Sequence, residues 1–409
     1  MCIRDRSQVA CHTCQFGAFP WWFRHACVAC VKGLGIEKSA RTKACRGPPP
    51  LALPLPSPTK SSNPTSRRLQ CIVNRKIPSL YYTMAQITRR LFTTTCRRQT
   101  PTPRSHASAA SACDELLTRY QKGPISIRKQ NLDANQLQLL SIILGRTPSS
   151  YNPPPEGTPI PAGYHLVYFT PSILESELGP DGTDRTVSPL SPFTRRMWAG
   201  GELTWRQDRN APLRIGQEVR ETTKLLSAEP KKLKNGGEML VVGVEKTFAN
   251  AHGVAVIDKR SWVFQPTLTP ENPTKAPPRP EEKPLPTSTY KRDFCQTPTS
   301  LFRFSALTFN AHKIHYHPEW CRQVEGHRDA VVHGPLNLIN MLDLWRDFRR
   351  DGDSEAMPRS IAYRAMSPLY VGEKYRILLD QGTTEGSDEW RAEIWDSFGK
   401  QSMKGTIAE

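Results

Sequence analysis

The sequence predicts an α+β protein in which antiparallel strands curl round one central helix, and three observations predict it. In residues 336–348, LNLINMLDLWRDF, Leu338, Met341, Leu342, Trp345 and Phe348 follow helical spacing, while Leu336, Ile339 and Leu344 make the segment apolar over most of its circumference. Asn337, Asn340, Asp343 and Asp347 leave only a narrow polar stripe, so such a helix has to be wrapped. Strand-like segments follow at Ser360–Ala365, Tyr375–Asp380 and Trp390–Trp395, with turns at Gly372 and Gly399. A second set, Met239–Val244 and Val254–Phe264, precedes a stretch of 24 residues (266–289) with eight prolines, too dense for helix or central strand and suited to an extended connection.

Charge is spread unevenly along the chain. Of 56 Lys and Arg and 38 Asp and Glu, residues 1–113 hold 18 basic and only 2 acidic side chains, which leaves residues 114–409 nearly neutral. A net charge of +18 therefore does not mark a nucleic-acid-binding surface in the folded part. Nine of eleven cysteines also precede residue 114, leaving Cys295 and Cys321, too few for a disulfide framework and in keeping with a reducing or matrix-like compartment. No run of about 18 apolar residues predicts a membrane span.

Residues 1–83 show no sustained periodicity and read as leader sequence, with the natural start expected at Met84. Cys11, Cys14, Cys27 and Cys30 have nearly the spacing of a zinc ribbon, but the supporting hairpin pattern is missing, and no metal is expected. Residues 84–113 are basic and hydroxyl-rich, and Ile87, Leu91 and Phe92 can share a helical face, which is the composition of a mitochondrial transit peptide. The expected order is thus leader (1–83), transit peptide (84–113), an N-terminal domain (114–265), the proline-rich linker (266–289) and a C-terminal domain (290–409).

In the N-terminal domain Asp114–Tyr120 and Asp133–Leu144 read as helices, Asn152–Pro161 as a turn, Tyr164–Phe169 as a strand, and Pro212–Gly216 as the start of another. Between them, PFTRRMWAGGELTW (192–205) carries Gly200 and Gly201, which permit close approach to a ligand or another strand, beside Arg195 and Arg196, which can hold an anionic group. A buried turn with exposed arginines is the plainer reading.

Five of the ten histidines fall in Phe304–Leu336, FSALTFNAHKIHYHPEWCRQVEGHRDAVVHGPL. Leu301–Phe309 alternates like a strand, and Gly334 and Pro335 mark the start of the long helix, with Gly334 as cap and Pro335 at the first helical position. A helix N-terminus offers unpaired N–H groups to a developing oxyanion, and histidines opposite it suit acid–base work. A metal site at His312, His315 and His317 is disfavoured because no carboxylate lies between them.

The segment Phe309-Asn310-Ala311-His312-Lys313-Ile314-His315 resembles the Gly-Asp-x-Asn-Pro-Ile-His motif of (R)-specific, MaoC-like enoyl-thioester hydratases, which have the hot-dog fold. With VEGHRDAVVHGPL, PFTRRMWAGGEL and PLRIG, the chain resembles fungal mitochondrial 3-hydroxyacyl-thioester dehydratases type 2 and the related mesaconyl- and itaconyl-CoA hydratases over about residues 135–409. The resemblance implies a double hot-dog, a hydro-lyase without cofactor, His315 as the catalytic histidine, Gly334 as oxyanion donor, and Asn310 where the motif has aspartate. It also implies a thioester of acyl carrier protein or CoA as partner, and a monomer with internal pairing or a homodimer.

Dehydration needs a base for the C2 proton, an acid for the C3 hydroxyl and donors for the thioester oxygen. His315 can be the base. Asn310 exchanges no proton but can hold the hydroxyl, so one histidine can serve both steps, with His312 and Tyr316 as other acids. His333 is expected to support the turn before Gly334. Two further readings stay open: a hydratase of short dicarboxylyl-CoA, with Arg195 or Arg196 on the free carboxylate, and an acyl-thioester-binding protein without catalysis.

Overall fold

In the computed structural model residues 107–146, 152–208, 210–233, 236–269, 275–349, 356–382 and 388–409 are described. The cysteine pairs, Met84 and most of the expected transit peptide lie outside these residues.

Helix α1 (Ala109–Tyr120) starts five residues before the expected Asp114, where the Ser108 hydroxyl accepts from the Ser111 N–H. Strand β1 (Ser126–Asn131) leads to α2 (Ala134–Ile143), capped by the Asp133 carboxylate. Tyr164–Val167, expected as a strand, is a 3₁₀ turn. Gly163 precedes it at φ 83°, and a Cβ there would lie 2.8 Å from Leu342 Cδ1, so the chain turns where it meets the central helix. A six-residue apolar run cannot by itself distinguish the two conformations.

Strands β2 (Arg195–Trp205), β3 (Glu218–Lys232), β4 (Glu238–Asn250) and β5 (Gly253–Gln265) follow, then β6 (Tyr290–Cys295) beyond the linker. The expected strand at Leu301–Phe309 is instead α3 (Pro298–Leu307), with Pro298 at its first turn and a reciprocal Thr297–Ser300 cap. Its buried residues, Leu301, Phe304, Ser305 and Leu307, mark a helical face. Short α4 (Pro318–Gln323) and long α5 (Gly334–Phe348) precede β7 (Ser360–Ala365), β8 (Lys374–Gln381), β9 (Glu389–Asp396) and β10 (Gln401–Ala408).

All strand pairs are antiparallel, in one sheet ordered β1-β3-β4-β5-β2-β7-β10-β9-β8-β6. Read inward from either edge, each half runs first, third, fourth, fifth, second strand of its own five. The sheet is a tandem repeat of one topology, the two copies meeting at β2 and β7. This is the double hot-dog. The join explains Gly200, where a Cβ would meet the Tyr363 carbonyl of β7 at 2.5 Å; at Gly201 one would meet the Lys259 carbonyl of β5, in the same repeat, at 2.2 Å. The expected glycine approach is to neighbouring strands, and Arg195 and Arg196 begin a strand rather than ride a turn.

Helix α5 lies against β6, β8 and β9, and every residue from Leu336 to Trp345 is buried. Burying each large apolar side chain stabilises the fold by roughly 1.5–3 kcal/mol. Its polar stripe is buried too. Asp343 accepts from Arg146 Nε (2.9 Å) and Tyr164 Oη (3.0 Å), both in the N-terminal repeat, and pairs with Arg346 (2.8 Å). Gln136 Nε2 donates to the carbonyls of Val167 and Leu307, both at 2.7 Å, tying α2, the 3₁₀ turn and α3 together. The main apolar core accordingly runs through both repeats.

Candidate active site

The candidate segment, residues 310–315, is positioned by the way α3 ends. Phe309 takes φ 49°, a left-handed conformation usually left to glycine, while the Asn310 N–H donates to the Ser305 carbonyl (2.8 Å). The chain is thereby turned so that Asn310 and His312 reach the wall of a cavity of about 720 Å³, and the 3₁₀ turn Lys313–His315 carries His315 to the same wall. His333 and Gly334 arrive from the start of α5. Arg196 arrives from β2.

His315 is buried, and its Nδ1 lies 2.8 Å from the Val331 carbonyl, which can only accept. Nδ1 therefore carries the hydrogen, and Nε2 keeps its lone pair with no protein partner among the described residues. Burial lowers the His315 pKa to about 4 against the favourable Val331 contact, with His327 and Arg196 adding to the fall, so the ring is neutral at physiological pH. The His333 ring stacks on it, centroids 3.7 Å apart, and His333 Nε2 lies 2.9 Å from the Ser305 hydroxyl. His312 stands edge-on to His315 at 5.5 Å. Burial first, then the neighbouring histidines, hold His312 and His333 well below the ordinary histidine range.

Gly334 sits one position inside the helix, and the cap is His333, one residue before the expected one; Pro335 takes the second helical position rather than the first. The Gly334 N–H has no protein acceptor among the described residues, as expected in the first turn of a helix. A Cβ on Gly334 would fall 3.1 Å from Trp198 Cγ, so the absence of a side chain lets β2 of the other repeat close over the helix end. Asn310 Oδ1 accepts from the His312 N–H (3.1 Å), which turns its amide nitrogen into the available group.

Two expected site residues stand apart from the cavity. Arg195 is committed to Glu325, with Nε 2.7 Å from the carboxylate, and Tyr316 is half exposed, donating to the Ala311 carbonyl at 3.1 Å. Neither lines the cavity wall. His317 caps α4 by accepting from the Trp320 N–H. Sequence reasoning missed the loop Gly179–Asp184, which closes on the candidate segment: the Lys313 N–H donates to the Asp181 carbonyl (2.8 Å) and Lys313 Nζ to that of Pro180 (2.6 Å). Its Pro-Asp-Gly signal announces a turn but not what the turn touches.

Residues 163–371, half of the chain, match the family described as hydroxyacyl-thioester dehydratase type 2. The chain belongs to this family. A mesaconyl-C(4)-CoA hydratase of Chloroflexus aurantiacus is 31% identical over 232 residues, 55% of this chain and 78% of that protein. A mitochondrial hydroxyacyl-thioester dehydratase type 2 of Schizosaccharomyces pombe is 26% identical, over 55% of this chain and 79% of that one. A MaoC-like dehydratase of Phytophthora capsici superposes with a TM-score of 0.49 at 16% identity, over 72% of this chain and 97% of that one. The matched residues of this dehydratase family contain both the β2 arginines and the whole span from Asn310 to Gly334.

Proposed function

We propose that the chain removes water from (3R)-3-hydroxyacyl thioesters to give trans-2-enoyl thioesters, and that the observation carrying this reading is that His315, with its free Nε2, and Gly334, with its unpaired N–H, line one cavity. His315 Nε2 takes the C2 proton as electron density moves onto the thioester oxygen, where Gly334 and the α5 dipole receive it. The C3–O bond then breaks, and the imidazolium returns the same proton to the departing hydroxyl, which leaves as water. Removing one oxyanion donor from such a site costs about 100-fold in rate. The Asn310 amide donates to the hydroxyl oxygen but moves no proton.

The two Schizosaccharomyces and Saccharomyces relatives are named as mitochondrial, and the basic, hydroxyl-rich stretch from Met84 supports placing this chain in the mitochondrial matrix, in fatty-acid synthesis on acyl carrier protein or CoA. Pairing of β2 with β7 joins two repeats in one chain, which supports a monomer.

Arg196 favours a second reading. Its guanidinium lines the cavity, donates only to the Asp184 carbonyl (3.0 Å) among the described residues and lies over Trp262, and burial lowers its pKa. Lys246 and Arg260, which line the same cavity, have Glu221 and Asp258 as partners. The carboxylates of Asp184 and Asp181 act on Arg196 only from beyond ion-pair distance, and a buried cation without a direct carboxylate partner among the described residues is costly and would welcome one from the substrate, as in a short dicarboxylyl thioester. Hydration of crotonyl-CoA and of mesaconyl-CoA, followed by the enoyl-thioester absorbance with His315→Ala as control, tests both. Turnover of crotonyl-CoA that survives Arg196→Met selects the first; turnover of mesaconyl-CoA alone, lost in Arg196→Met, selects the second. A protein silent with both overturns the enzymatic reading.

A further inference from the structure

The catalytic segment has no carboxylate, but the N-terminal repeat brings one. Asp181 is buried, and its Oδ1 accepts from the Thr183 N–H (3.0 Å) and hydroxyl (2.7 Å), which fixes the carboxylate with Oδ2 3.5 Å from His312 Nε2. The loop is held there by the two Lys313 contacts and by Gly182, whose missing side chain leaves room for the Ala311 carbonyl. At 3.5 Å the pair is at ion-pair distance without forming a hydrogen bond, and because a carboxylate can only accept, its charge favours the His312 tautomer with hydrogen on Nε2. Nδ1 then keeps a lone pair, and no described residue uses it.

We propose that Asp181 is a positioning residue for the dehydration, setting the tautomer of His312 so that Nδ1 accepts the hydrogen of the substrate's C3 hydroxyl, or of the attacking water in the reverse direction. This rests on the dehydratase reading. The hydroxyl that departs has to turn a lone pair to the His315 imidazolium and place its own hydrogen elsewhere. His312 Nδ1 takes that hydrogen bond and the Asn310 amide donates to the oxygen, so the leaving group is held by one acceptor and one donor. No proton is exchanged with His312 or Asp181. The proton balance remains that of His315 alone, taken from C2 and returned to the leaving oxygen.

The test compares two leaving groups in the full chain. (3R)-3-Hydroxybutyryl-CoA loses water, whereas 3-chlorobutyryl-CoA loses chloride, which carries no hydrogen to be oriented; both need the C2 proton removed. Asp181→Asn keeps an oxygen for Thr183 and turns an N–H toward His312, which drives the ring to the opposite tautomer. The carboxylate-to-amide change behind a catalytic base histidine costs about 10⁴-fold through the wrong tautomer; His312 orients the leaving group rather than acting as the base, and kcat for water loss is expected to fall by at least about 100-fold. KM and chloride loss stay within about 3-fold, since the base is untouched. Equal losses on both substrates, or undiminished water loss, overturn the proposal. Nitrogen NMR of isotope-labelled histidine in the wild-type protein, with His312 assigned by His312→Gln, reads the tautomer without relying on the variant's folding; an Nδ1–H resonance overturns it too. Chloride loss that survives His315→Ala would instead remove the dehydratase reading itself, and this proposal with it.

Discussion

The imidazoles of His333 and His315 lie face to face, 3.7 Å between centroids and 18° between planes, in a site where His312 stands edge-on to the second ring. Two rings so close, both buried, cannot be protonated together without severe repulsion, and the His333 Nδ1 has no partner among the described residues. The stack is a rigid neutral plate that fixes the plane of His315 against the start of α5. It also makes folding sensitive to mild acid.

The first prediction concerns that sensitivity. His312, His315, His327 and His333 are all held below the ordinary histidine value, His315 and His327 to about 4, chiefly by burial. Between that level and about 6.5 the unfolded chain binds protons that the folded one does not, so stability rises with pH across this window and is lost as pH falls through it. For His315 alone the loss is on the order of 3 kcal/mol over the whole window. Urea midpoints between about pH 6.5 and 5, above the range of ordinary carboxylates, are expected to drop steeply, and His333→Phe to flatten the slope. A midpoint that does not move in that window would contradict the burial of neutral rings.

The same shift sets the rate profile. A base with its pKa at about 4 stays available through weakly acidic pH, so kcat/KM for dehydration is expected to hold to about pH 5 and fall only as pH approaches 4. Initial rates must be taken on a timescale shorter than acid unfolding. An acid limb centred near the ordinary histidine value would assign the base to some other group.

Gly334→Ala tests the helix end. Its Cβ would press on Trp198, which is held between the Arg260 guanidinium and the Tyr363 ring and has little room to yield. The helix N-terminus has to tilt instead, carrying the oxyanion donor with it, and kcat is expected to fall roughly 10- to 100-fold with little change in KM. Adding Trp198→Leu makes room for the methyl group and should recover part of the rate. Failure of the second change to help would mean that Gly334 is small for another reason.

How far the sequence anticipated this site depends on the range of the signals. His315, His312, Asn310 and Gly334 lie within 25 residues of one another, and the helix start at Pro335 is a local signal, so their convergence was legible. The strands β1 and β3 were not, because SIRKQN and the outward half of EVRETTKLL show charge where a strand is usually recognised by apolar alternation. Pro230 also falls within β3, past Thr223, where β1 no longer pairs with it. Leu301–Phe309 reads as a strand from its alternation, a reading that passes over the Thr297–Ser300 cap with Pro298, the signal that marks the helix. Asp181 could not be found locally, since it lies 131 residues from His312 and is brought to it only by the pairing of the two repeats. Arg195 and Arg196, adjacent on β2, point to opposite fates because neighbours on a strand face opposite sides.

The closeness of the two repeats at the site can be measured with a pair of glycines. Gly182 and Gly157 have nearly the same positive φ, 81° and 80°, so alanine at either incurs a similar left-handed strain, about 1–2 kcal/mol. Their surroundings differ. A Cβ at Gly157 meets nothing within 4 Å, whereas at Gly182 it would sit 2.0 Å from the Ala311 carbonyl, which is backbone and cannot rotate away. Gly157→Ala is therefore expected to cost only the strain and leave kcat within about 2-fold, because it touches neither repeat's contribution to the cavity. Gly182→Ala has to part the Asp181 loop from the catalytic segment, breaking the 2.8 Å bond from the Lys313 N–H and withdrawing the carboxylate from His312. Its destabilisation should exceed that of Gly157→Ala by at least about 1–2 kcal/mol in denaturant titration, the range for losing a buried backbone hydrogen bond, with a loss of water elimination beyond what stability explains. Equal costs at the two positions would mean that the loop yields freely, and that the N-terminal repeat does not hold the catalytic turn in place.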